Sequence, residues 1–207
     1  MAPQSNGNAV PAQNEQLEGQ VRDLVRSIVH GVLDEAEAEV VTEERQHDVA
    51  LEGGSEIIAV GADHGGYPLK ERIAFKLREA GHDVRDCGAD STDSVDYPTY
   101  AHAVARLVAD GTCRWGIVFD GAGIGSAMVA NKVPGVRAAL CYDLSTARNS
   151  REHNHANVLT LGAGLIGPNL AWQIVQEWLS TPWGGERHAR RVDMITDIES
   201  SYAGRAS

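Results

Sequence analysis

From residue 56 onward, short apolar runs ending in glycine or aspartate alternate with amphipathic helical stretches. IIAVGAD precedes PLKERIAFKLREAGH, DVRDCG precedes PTYAHAVARLVADG, and WGIVFDGAG runs into SAMVANKV. VRAALCYD and NVLTLGAG complete the series, each with a helical stretch behind it. Runs apolar on both faces need cover on both sides, and helical connections make the strands parallel. The pattern predicts one doubly wound αβα sandwich with five strands. Ligands of such a sheet sit beyond the carboxyl ends of its strands.

The first 54 residues differ in character. Residues 1–16 are polar and too poor in apolar side chains to order themselves. Leu17, Val21, Leu24, Val25, Ile28, Val29, Val32 and Leu33 then fall on one face of a helix. Residues 34–54 form an acidic stretch ending in two glycines, which reads as a linker. The expected division is therefore an extension over 1–54 and a functional domain over 55–207. The helix at about 17–33 could pack on that domain, pair with its copy, or serve as a docking peptide.

Charge narrows the partners. The chain of 207 residues carries a formal net charge of −11, which opposes nucleic acid and anionic membranes as its main partners. An anionic substrate would need a local cationic pocket. Three cysteines without a CxxC pair argue against a disulfide framework and against a structural zinc site. With no membrane-length apolar run and no secretion signal, a soluble protein of the reducing cytoplasm is expected.

Applying the carboxyl-end rule strand by strand collects the chemistry. The first strand ends in Asp63 and His64, the third in Asp120 and the loop Gly121-x-Gly123-x-Gly125, and the fourth in Tyr142 and Asp143. The segment before the fifth carries Arg148, Arg151, His153, Asn154 and His155. These groups are expected on one edge of the sheet. The glycine loop presents backbone N–H groups to a negative oxygen, of a phosphate or of an enolate. Asp143 stands at a tempting distance for a ribose contact, but GxGxG is not the dinucleotide spacing GxGxxG. Asp120 reads either as a helix-capping aspartate or as a base beside an oxyanion hole. Near the C-terminus, Arg187, His188, Arg190 and Arg191 are basic in an acidic chain. Arg187 and Arg191 share a helical face suited to a phosphate dianion.

DHGGYPLKE, DYPTYAHAVA, DGAGIGSAMVANKVPGVRAAL, SREHNHANVLTLGAG and ERHARRVDMI together resemble the type B ribose-5-phosphate isomerases and the related galactose-6-phosphate isomerase subunits. The resemblance spans roughly residues 56–202. It implies a Rossmann-like αβα fold, a homodimer or dimer of dimers with active sites shared between subunits, and no metal or organic cofactor. By position, Asp63, His64 and Tyr97 would hold the substrate, with His64 near its phosphate. His153 would open the furanose ring and Asn154 would bind a sugar oxygen. Gly121, Gly123 and Gly125 would stabilise a cis-enediolate, and Arg187 and Arg191 would bind the phosphate.

Two departures bear on mechanism. One branch of the family has a cysteine base at the position of Asp120, and another a glutamate base at the position of Ser126; this chain has neither. Ala122 also replaces a hydroxyl residue of the cysteine branch. Asp120 is then the expected base, and a carboxylate is competent for enolisation. The expected reaction is ribose 5-phosphate to ribulose 5-phosphate. Alternatives are a tetrose or hexose phosphate, or a sugar-phosphate-binding scaffold without catalysis. The leading helix resembles the encapsulation peptides that load enzymes into bacterial microcompartments, which implies a shell protein as partner.

Overall fold

A computed structural model describes residues 57–203. The expectations for the helix at 17–33 and the linker at 34–54 lie outside the described residues. Five parallel strands, β1 (Ile58–Ala62), β2 (Val84–Asp86), β3 (Trp115–Asp120), β4 (Ala138–Leu140) and β5 (Val158–Gly162), form one sheet in the order β2-β1-β3-β5-β4. Six helices connect or follow them: α1 (Tyr67–Glu79), α2 (Tyr97–Ala109), α3 (Ile124–Ala130), α4 (Leu144–Glu152), α5 (Pro168–Ser180) and α6 (Glu186–Ala203). The three-layer αβα, Rossmann-like architecture with a five-stranded parallel sheet is as the alternation predicted.

The period-two rule distributes the core. Ile58, Val60, Ala62, Ile117, Phe119, Leu159 and Leu161 join α1 and α5 on one face, around Ile73, Leu77, Ile174 and Trp178. Ala59, Val118 and Val158 point to the other face, against Ala101, Val104 and Val108 of α2. Small residues on that face let α2 come close. A Cβ on Gly61 or Gly116 would lie 2.8 or 2.7 Å from Val104. The central strands β1, β3 and β5 are wholly buried, whereas β4, at an edge, is only half-buried.

Strand order and register fix the levels along the sheet. Asp120 is level with Gly162, and Gly116 with Val158. The chain leaves β1 in one direction across the sheet, to β2, and then crosses back to β3 on its other side. The crevice between the carboxyl ends of β1 and β3 is therefore the switch point, where ligands of open α/β sheets bind. Among the described residues, no helix is long and apolar enough to cross a membrane.

Candidate active site

Asp63 and His64 follow β1 and border this crevice. Asp63 N donates to Phe119 O at 3.2 Å, which keeps the two strand ends together, and its Oδ1 accepts from Gly66 N at 2.8 Å. That turn needs glycine at 66, since a Cβ there would lie 2.2 Å from Phe119 O. His64 Nδ1 lies 3.2 Å from Val95 N and 3.3 Å from Val95 O, so the loop before α2 fixes the ring. Tyr97, the first residue of α2, covers the backbone of Gly125, where a Cβ would lie 2.6 Å from its Cζ.

The glycine loop is held from three directions. Tyr142 Oη donates to Ala122 O at 2.9 Å, and Ala163 N and Gly164 N donate to Asp120 O and Gly121 O. Gly123 takes φ +77° as it enters α3, a conformation that favours glycine. The third support is the Asp120 carboxylate. Its Oδ1 accepts from Ala122 N at 2.8 Å and from Gly123 N, and its Oδ2 from Ser126 N at 3.1 Å and Ser126 Oγ at 2.5 Å. At 5% exposure, its acceptor positions are filled by the loop amides of Ala122 and Gly123 and by Ser126 in the first turn of α3. An anionic oxygen thus already rests on the nest. The amides of Gly121, Ile124 and Gly125 have no partner among the described residues.

His153 and Asn154 lie elsewhere. They follow α4 and precede β5, and so sit by the amino ends of the strands, opposite Asp63 and Asp120. Arg187, near the start of α6, is at this same edge, for Gly184 N donates to Glu152 O at 2.9 Å. The expectation that every ionisable group gathers on one edge is therefore corrected. In a parallel sheet, a segment that enters a strand lies at the edge opposite to one that leaves it. His153 Nδ1 is 3.0 Å from Asn149 Nδ2, and its Nε2 is 3.6 Å from Glu152 Oε1. Asn154 Nδ2 bonds Asn149 O and Oδ1. Arg187 and Arg191 are exposed and make no ion pair with a carboxylate among the described residues.

One buried cation carried no signal in the sequence, and one aspartate has a role other than a ribose contact. Lys70 is fully buried, its Nζ 2.7 and 2.8 Å from the two Asp86 oxygens and 2.8 Å from Ala89 O. It braces the start of the loop that delivers Val95 and Tyr97. Asp143 is spent on a capping box at α4, accepting from Thr146 N at 2.7 Å, which holds its carboxyl below the ordinary value. No group of three or more His, Cys, Asp or Glu among the described residues is arranged to hold a metal ion.

A Rossmann-like sandwich with a glycine cradle at its switch point is the arrangement with which open α/β sheets hold small anionic ligands. The ribose/galactose isomerase family model matches residues 58–195, and the chain belongs to that family. It is 44% identical over 142 residues to ribose-5-phosphate isomerase B of Escherichia coli, covering 69% of this chain and 95% of that one. Over 148 residues it is 42% identical to the Mycobacterium tuberculosis protein of the same name, covering 70% and 91%. The solved Clostridium thermocellum ribose-5-phosphate isomerase B aligns with TM-score 0.70 and 48% identity over 71% of this chain and 99% of that one. A Mycoplasma genitalium structure described as ribose-5-phosphate isomerase B with bound ribulose-5-phosphate aligns with TM-score 0.68 and 37% identity, covering 70% and 96%. The chain is a sugar-phosphate aldose–ketose isomerase, an intramolecular oxidoreductase. The scaffold alternative is set aside.

Proposed function

We propose that the chain interconverts ribose 5-phosphate and ribulose 5-phosphate through a cis-enediolate, in sites completed by two copies. The observation that carries this reading is the Asp120 carboxylate oxygen held on the amides of Ala122 and Gly123. A cradle that holds one anionic oxygen suits the enediolate oxygen of the reaction. When the substrate oxygen takes over those amides, Asp120 is released beside C1 and C2. It then moves the proton from C2 to C1. Gly121, Gly123 and Gly125 carry the oxyanion, and Asp63 and Tyr97 hold the sugar. His153 and Asn154 of the second copy open the ring and bind a sugar oxygen. Arg187 and Arg191 of that copy grip the phosphate with His64. The relatives named for ribose 5-phosphate support the substrate.

An apolar stripe on α6 supports the second copy. Met194, Ile195, Ile198 and Tyr202 are large and exposed, at spacings that share one helical side. The same reading extends to residues 17–33 as an encapsulation peptide for a microcompartment shell protein. Deleting residues 1–50 should leave turnover intact and abolish co-purification with shell; retained co-purification refutes the peptide.

The test of the base is solvent deuterium entering C1 of the ketose. Asp120→Asn should slow it by about a hundredfold or more. If Asp63→Asn abolishes it while Asp120→Asn stays within a few-fold of wild type, then Asp63 is the base and Asp120 only the loop's anchor. Assays across four-, five- and six-carbon phosphates test the substrate, and a preference for a tetrose or hexose phosphate overturns it.

A further inference from the structure

Four rings gather at the amino edge. His153 stacks on His188 with centroids 4.3 Å apart and planes 18° apart. Trp183 tilts against His188 at 6.1 Å, and His155 stacks on Trp183 at 4.7 Å. His188, in the first turn of α6, is 5% exposed. Its Nε2 accepts a hydrogen bond from Arg187 Nε at 2.8 Å. A guanidinium offers no lone pair, so this nitrogen is bare and the ring proton sits on Nδ1. The ring is therefore neutral. Burial first, then the charges of His153, Arg187 and Arg191, hold its pKa below the ordinary histidine value, with Glu152 opposing.

The setting of His153 follows. Asn149 and Glu152 of α4 face its two nitrogens, and His188 covers one ring face. A second imidazolium at stacking distance would oppose any charge that His153 takes up. A neutral ring there does not. On its other side, the bond from Arg187 Nε to His188 orients the guanidinium and leaves its terminal nitrogens for a phosphate.

We propose that His188 is a positioning residue with two separable contacts, its face setting the His153 ring and its Nε2 aiming Arg187 at the sugar phosphate. This rests on the roles of His153 and Arg187 proposed above. Two substitutions divide the contacts. His188→Phe keeps a stacking ring and loses the acceptor, whereas His188→Gln keeps an acceptor for Arg187 and loses the stack.

The experiment is steady-state kinetics on ribose 5-phosphate with the full chain, paired with nitrogen-15 NMR titration of His153. His188→Gln should lower kcat about tenfold, hold KM within about twofold, and shift the His153 titration. His188→Phe should raise KM about fivefold, weaken inorganic phosphate binding similarly, and leave the His153 titration in place. Variants that move kcat and KM alike, or move neither, overturn the positioning role. His153→Asn separates the ring-opening role from the positioning role. Should it keep full kcat, the ring-opening role itself falls and the positioning role with it. Should it be slow while the His188 variants fail to separate kcat from KM, only the positioning role falls.

Discussion

The proposed sharing of sites between two copies makes a quantitative prediction about mixed dimers. Ring opening and enolisation act on atoms one or two bonds apart, so the groups that perform them must both reach that spot. Within one chain they are far from it. Asp120 is level with Gly162 and the sheet's other edge with Val158, four residues away, or about 13 Å along the strand at 3.3 Å per residue. His153 lies still earlier, beyond the amino end of β5. Consider a carboxyl-edge parent, Asp63→Asn with Asp120→Asn, and an amino-edge parent, His153→Asn, each inactive as a homodimer. In a heterodimer, one site collects both defects and the other collects none. Co-expressed with two tags and purified through both, the heterodimer should recover about half the wild-type turnover per dimer, as a two-fold assembly requires. The assay is the rate of ketose formation from ribose 5-phosphate. Turnover no higher than that of either parent would refute sites shared between copies.

Further expectations concern the dimer, the core and the thiols. Ile198→Glu places a charge on the apolar stripe of α6 and should convert the proposed dimer to monomers by sedimentation, with turnover lost; a monomer of full activity refutes the shared site. Lys70→Met keeps the bulk of the buried side chain but takes the donor from the buried Ala89 O, while Asp86 keeps Gly88 N and water; it should cost about 2 kcal/mol of stability, read as a lower urea midpoint. A change below about 1 kcal/mol would mean that Lys70 is not a brace. Burial, reinforced by the nearby Cys113 and Asp86, pushes the Cys87 thiol from 9.0 to about 11. Cys113 and Cys141 are also raised, burial first. Folded thiols keep protons that the unfolded chain releases above pH 9, so this contribution is whole below that pH and is lost as pH rises toward 11. A urea midpoint unchanged from pH 8 to pH 10.5 would refute it.

What was legible in the chain was local. Apolar runs closed by Gly or Asp marked the five strands, and the motif DHGG placed Asp63 and His64 at the crevice, because each signal is carried by neighbours in sequence. Asp120 was legible only as two readings: its bonds to Ala122, Gly123 and Ser126 show the anchor of loop and helix, and the base is the role proposed above. Lys70 gave no signal as a buried cation, since a lysine on an amphipathic helix normally points to water; Asp86 and the backbone of Ala89, brought back by β2, make its burial possible. His188 read as one more basic residue in a cluster until the fold put it under His153.

Direction decides the sheet edge. The carboxyl-end rule holds for loops that leave strands and fails for the segment that enters β5. All five strands run the same way, so every entering segment lies at the amino edge and every leaving segment at the carboxyl edge. No adjustment of side chains moves a residue between those edges. If His153 and Asp120 serve one substrate, as proposed, the amino edge must therefore be supplied by another molecule. The exposed apolar side of α6, the helix that also carries Arg187 and Arg191, is where such a molecule would be held. Phosphate grip and subunit contact then share one helix, and loss of the contact should disable binding and ring opening together.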